Sequence, residues 1–195
     1  MKVIGLCGGS GSGKGTVCSI FAELGIESID TDKLYHTIIS EDSGCTNELV
    51  AAFGREIYAN PGIDRSALRT VAFSSPENLR RLNEITHKHI LSGVRSIIKS
   101  SKNPLGIIID APLLFESGFD KECDTTVAVI ADNSIRVDRI VIRDNISEDY
   151  AKARISSQIS NDELVQRCDY TIENNSTIDE LRENVVQLYK KMFNN

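Results

Sequence analysis

The sequence predicts an α/β protein, a five-stranded parallel sheet with helices on both faces. Short apolar runs alternate along the chain with longer amphipathic ones, the order that builds such a sheet. One run, Ile107-Ile108-Ile109, is apolar throughout, as a strand covered on both faces must be. The first run breaks directly into a glycine-rich loop that opens a helix. At 195 residues and 41% hydrophobic, the chain can fill one core domain with room for a small insertion.

Residues 3–7 form the first strand. Residues 14–24 follow as a helix with Val17, Ile20, Phe21 and Leu24 on one face, and Gly25 stops it. Residues 26–29 are a second strand, ending in Asp30-Thr31-Asp32. Strands at 107–109, 125–130 and 170–172 and a closing helix over 178–193 complete the alternation. Residues 33–102 break it: 48–53, 65–73 and 77–99 read as helices, Pro61-Gly62 as a turn, and Ser75-Pro76 as a cap followed by a first-turn proline. This segment reads as a helical insertion that holds a second substrate. The charged, Ser-rich stretch 143–166 reads as a lid. The nucleotide-binding core is then 1–32, 103–142 and 167–195.

The loop Gly8-Gly9-Ser10-Gly11-Ser12-Gly13-Lys14 fits the P-loop spacing Gly-x-x-x-x-Gly-Lys. Glycines let successive N–H groups point inward, and the following helix adds its own unpaired donors, so the loop makes an anion site. Lys14 supplies a mobile charge. The residue after it is Gly15 rather than Ser or Thr, with Thr16 one place later. The fold class is therefore a three-layer P-loop NTPase fold.

The net charge of −6 argues against general nucleic-acid binding. No run approaches the length of a membrane span, and no charged-then-apolar leader precedes the first strand. The five scattered cysteines lack Cys-x-x-Cys spacing and read as reduced thiols of a cytoplasmic protein. Nothing implies an obligate protein partner.

Asp30 and Asp32 end the second strand, where the crevice of such a sheet opens. Each carboxylate suits either proton acceptance or capping of the helix that starts near Lys33. Asp110 ends an apolar strand, the Walker B arrangement that brings a carboxylate near a P-loop metal; many buried strands also end in Asp. Arg139 and Arg143 are four apart and share a helix face, suited either to a phosphoryl group or to solvent. Arg136 reads as part of a solvated face salted with Asp138 and Asp144. His87 and His89 lack the spacing of a zinc pair. Asn-Lys-x-Asp for guanine is absent, as is a Glu after Asp110 to activate water, so a small-molecule kinase is favoured over a hydrolase.

The chain resembles the dephospho-coenzyme A kinase family. The resemblance spans residues 8–16, Ile29-Asp30-Thr31-Asp32, Phe53-Gly54 and Leu82-Asn83-Glu84-Ile85-Thr86-His87. It continues through Asp110-Ala111-Pro112-Leu113-Leu114-Phe115-Glu116, Arg139, Arg143-Asp144 and Gln158, to Asp169-Tyr170-Thr171-Ile172-Glu173-Asn174-Asn175. It implies ATP as phosphoryl donor, dephospho-CoA as substrate and Mg²⁺ as metal. It implies catalytic roles for Asp32, Lys14, Arg139, Arg143 and Asp110, with Asp32 as base. ATP would be bound by Gly11, Ser12, Gly13, Lys14, Gly15, Thr16, Asn174 and Asn175. The acceptor would meet Asp32, His36, His87, Leu113 and Phe115. Thr16 and Asp110 would stand near the metal, largely through water. Gly15 replaces the family's usual Ser, and His36 stands where Arg is common. The competing functions are another P-loop kinase, such as a nucleoside monophosphate kinase, and a non-catalytic ATP-binding module.

Overall fold

A computed structural model describes residues 1–41 and 43–193. Five strands, β1 (Lys2–Cys7), β2 (Glu27–Asp30), β3 (Gly106–Asp110), β4 (Thr125–Ile130) and β5 (Tyr170–Glu173), make one sheet in the order β2-β3-β1-β4-β5. β1 runs parallel to β3 and β4, and β4 to β5. Leu6 lies opposite Asp110 and Cys7 opposite Ala128, so β1 ends beside the end of β3. That register brings the loop after β1 and the carboxylate of Asp110 to the same carboxyl end of the sheet.

The chain divides into two compact units, residues 1–29 with 102 onward, and residues 30–101. In the first, α1 (Lys14–Glu23) turns Val17, Ile20 and Phe21 onto the sheet, where they meet Ile4, Leu6, Ile108, Val127 and Ile172. Burying each such side chain contributes about 1.5–3 kcal/mol. Gly25 ends the helix with φ 87°, and the next amide, Ile26 N–H, donates back to Phe21 O at 3.0 Å.

The second unit is helical: α2 (Thr31–Ser40), α3 (Gly44–Phe53), α4 (Arg65–Ala72) and α5 (Pro76–Ser100). Its own core holds Ile39, Cys45, Leu49, Phe53, Ile57, Ile63 and Leu68. Ser75 caps α5 by accepting from Asn78 N–H, with Pro76 in its first turn. The turn at Pro61-Gly62 sits inside an isolated antiparallel bridge between Tyr58 and Ile63. Helix α2 begins earlier than the composition around Lys33 suggests, because Asp30 caps it.

The first unit closes with α6 (Asn133–Asp144), α7 (Glu148–Ser156), α8 (Asn161–Arg167) and α9 (Ile178–Phe193). Val137 and Ile140 of α6 pack on Ala151 and Ile155 of α7. Leu181, Val185 and Leu188 of α9 join the core beside α1. Among the described residues, no helix is long and apolar enough to cross a membrane.

Candidate active site

The loop between β1 and α1 owes its shape to Gly13, which sits at φ 95° just ahead of α1. A Cβ there would lie 2.1 Å from the Asn174 amide nitrogen, so both backbone and space demand glycine. Lys14 Nζ donates to Gly8 O at 3.0 Å, folding the ammonium back over the loop. Ser12 is buried, and its hydroxyl oxygen has no hydrogen-bond partner. An unsatisfied buried polar group costs about 1–3 kcal/mol, which a ligand atom would relieve. Gly15 lies within α1, and a Cβ on it would meet nothing within 4 Å. Thr16 follows in the same turn.

Asp110 approaches this helix from below: Cys18 Sγ donates to its Oδ2 at 3.8 Å. The oxygens of Thr16 and Asp110 are hard donors of the kind Mg²⁺ takes, and the Ser12 hydroxyl on the same loop is left without a partner. Among the described residues, no three His, Cys, Asp or Glu side chains gather as a metal cage.

Asn174, just past β5, donates from its amide to Ser12 O at 2.8 Å. Arg139 reaches the loop from α6, donating to Gly11 O at 3.2 Å and to the main-chain and side-chain oxygens of Asn174 at 3.1 and 3.3 Å. Asn175 turns away: its amide pairs with the main-chain N–H and the carboxylate of Asp132. The structure therefore gathers Lys14, Ser12, Gly13, Arg139 and Asn174 around one loop.

Arg143 is held elsewhere. Its Nε and Nη2 meet Asp144 at 2.7 and 2.9 Å, and Arg154 reaches the same carboxylate at 2.5 Å. The two guanidinium groups hold the Asp144 carboxyl well below the usual carboxylate range. After β3, Leu113 is exposed, and Phe115 carries the Arg167 guanidinium 4.1 Å above its ring.

In the second unit, Asp30 Oδ1 accepts from Lys33 N–H at 2.9 Å, so of the two aspartates Asp30 is the cap. Asp32 and His36 lie exposed on α2. His87 is half-buried on α5, and His89 Nε2 stands 3.2 Å from Glu48, which also pairs with Lys88.

Arg136 corrects the reading of its helix. It is 2% exposed and bonded to the phosphate loop, not solvated. Its position beside Val137 and four before Ile140 was the available sign, since those two are the buried face of α6.

A family model described as dephospho-CoA kinase matches residues 2–180. Over 182 residues the chain is 40% identical to a dephospho-CoA kinase of Fusobacterium nucleatum, covering 93% of each protein. It is 33% identical over 198 residues to that of Chlorobaculum tepidum, covering 98% of this chain and 95% of the relative. The solved dephospho-CoA kinase from Campylobacter jejuni matches with a TM-score of 0.70 at 26% identity, across 98% of this chain and 97% of that one.

Proposed function

We infer the roles of these residues from one premise: the chain belongs to the dephospho-CoA kinase family, whose ATP-dependent phosphorylation of dephospho-CoA completes coenzyme A synthesis. The observation that carries the assignment of roles is the convergence of Lys14, Arg139 and Asn174 on the glycine loop. The loop amides and Lys14 hold the β- and γ-phosphates of ATP, and Asn174 and Asn175 border its adenine. Thr16 and Asp110 would hold the metal, largely through water. Mg²⁺, when bound, neutralises charge on the phosphate oxygens.

The acceptor's ribose 3′-hydroxyl oxygen attacks the γ-phosphorus in line. The bond from that phosphorus to the bridging oxygen breaks, and its electron pair leaves with ADP. Asp32 orients the hydroxyl and takes its proton late, because the transition state is loose. Arg139 and Arg143 counter the charge of the moving group. Residues 33–102 hold dephospho-CoA, with His36 and His87 among the contacts and Leu113 and Phe115 contributed from the core. Residues 143–166 act as the lid. The reaction is placed in the cytoplasm.

The test is an ADP-release assay with dephospho-CoA against AMP, CMP and shikimate, repeated with Asp32→Asn. Turnover should be confined to dephospho-CoA, and the variant should lose about 10²–10⁴ in kcat while still binding ATP. A variant with nearly full kcat removes Asp32 from the role of base.

A further inference from the structure

Arg136 is a buried guanidinium whose partners are all neutral. Its Nε donates to Ser10 O at 2.9 Å, and its Nη2 to Gln158 Oε1 at 3.1 Å. Its Nη1 donates to Asn133 Oδ1 and Asn161 Oδ1 at 3.1 and 3.5 Å. Burial disfavours its charge, but a guanidinium stays protonated in a protein, so the positive charge is not cancelled by a bonded carboxylate.

Gln158 completes the grip. Its Oε1 also accepts from Ser10 N–H at 2.9 Å, and its Nε2 donates to Ser10 Oγ at 3.2 Å. Amide nitrogen, carbonyl and hydroxyl of Ser10 are thus all engaged. The loop is shaped to let the guanidinium in: a Cβ on Gly9 would lie 2.1 Å from Arg136 Nη2, and one on Gly11 would lie 2.7 Å from Arg136 O.

The geometry points to Arg136 as a positioning residue for ATP. It fixes the Gly9–Gly11 arc of the phosphate loop and sets an unneutralised charge behind it. Gln158 ties the same arc to the segment joining α7 and α8. Donors aimed before the phosphates arrive need no reorganisation during the reaction, and a charge spent on neutral acceptors still attracts an anion. The inference rests on reading residues 8–16 as the phosphate cradle.

The experiment measures KM for each substrate, kcat and Tm for Arg136→Met, Arg136→Lys, Gln158→Glu and Gln158→Ala. Arg136→Met should raise KM for ATP about tenfold or more and KM for dephospho-CoA by less than about twofold. Arg136→Lys, which keeps the charge, should recover part of the loss. Gln158→Glu keeps an acceptor for Ser10 N–H and sets a carboxylate against the guanidinium. It should raise KM for ATP without lowering Tm, a split that a mere packing role would not give. Gln158→Ala should raise KM for ATP and lower Tm together. Equal KM changes for both substrates, or no change in a folded variant, overturn the inference. If Arg136→Met does not fold, Gln158→Glu decides alone. Lys14→Ala serves as the control. Unaltered ATP binding there sinks the cradle reading, whereas a loss there with intact Arg136 and Gln158 variants sinks only this inference.

Discussion

Arg139 holds Asn174 by both of its oxygens, while the Asn174 amide nitrogen holds Ser12 O. One buried side chain thus joins α6, the end of β5 and the phosphate loop. Asn174→Ala removes the two side-chain contacts at a site 6% exposed, leaving Arg139 and Ser12 O each short of a partner. The cost should be about 1–3 kcal/mol, read as a fall in Tm with weaker ATP binding. Asn174→Asp keeps the acceptors for Arg139 but loses the donor to Ser12 O and sets a negative charge against the phosphate loop. Calorimetric ATP titration of that variant should show the larger loss of affinity and the smaller loss of Tm.

Gly13 and Gly15 are two residues apart and should respond in opposite directions. Gly13→Ala forces a Cβ onto the Asn174 amide at a φ of 95°, so ATP binding and Tm should both fall. A side chain at Gly15 meets nothing within 4 Å and replaces glycine inside a helix. Gly15→Ala should therefore raise stability by about 0.5–1 kcal/mol. Gly15→Ser adds a hydroxyl directly after the loop lysine. It should shift the Mg²⁺ concentration for half-maximal rate more than it shifts acceptor choice, and a change of acceptor would refute that reading.

The strands and the glycine loop were legible because their signals are local. Ile107-Ile108-Ile109, β-branched throughout, reads as a strand buried on both faces, and the loop's glycine spacing is written within nine residues. Asp30 and Asp32 were ambiguous because both suit a helix start; only the bond from Lys33 N–H shows which one caps. Arg136 was misread because charge outweighed its place on the apolar face of α6. What offsets the burial of that charge is four neutral oxygens, three of them on residues 10, 158 and 161, far away in sequence. Arg143, although on the helix face predicted from Arg139, bonds its neighbour Asp144, a choice that i,i+4 spacing does not reveal.

The Asp144 cluster gives a pH dependence with a definite sign. Arg143 and Arg154 depress the folded-state pKa of Asp144 below its unfolded value of about 3.9. Stability from the cluster is therefore fully present above the unfolded pKa and is lost as pH falls through the folded one. Asp144→Asn should lower Tm at neutral pH, and the gap to the unmodified protein should close only in strong acid. Tm recorded against pH for both proteins checks this; a gap that does not change with pH would mean that the ion pairs contribute nothing.

Cys7 and Cys168 should differ sharply in reactivity although their sulfurs are 3.4 Å apart. Cys7 ends β1 at 1% exposure, and the hydrogen bond with Cys168, followed by burial, drives its pKa upward. Cys168 lies half-buried at the entry to β5, and the contact with Cys7 lowers its pKa. The thiolate is the nucleophile, so both access and ionisation favour Cys168. Iodoacetamide near neutral pH, followed by peptide mass spectrometry, should label Cys168 well before Cys7. Cys168→Ser should not speed the labelling of Cys7, because the sheet and not its neighbour shields that sulfur. Labelling of Cys7 first, or at an equal rate, would show that the end of β1 opens to solvent more readily than the burial of Cys7 and its bond to Val127 O imply.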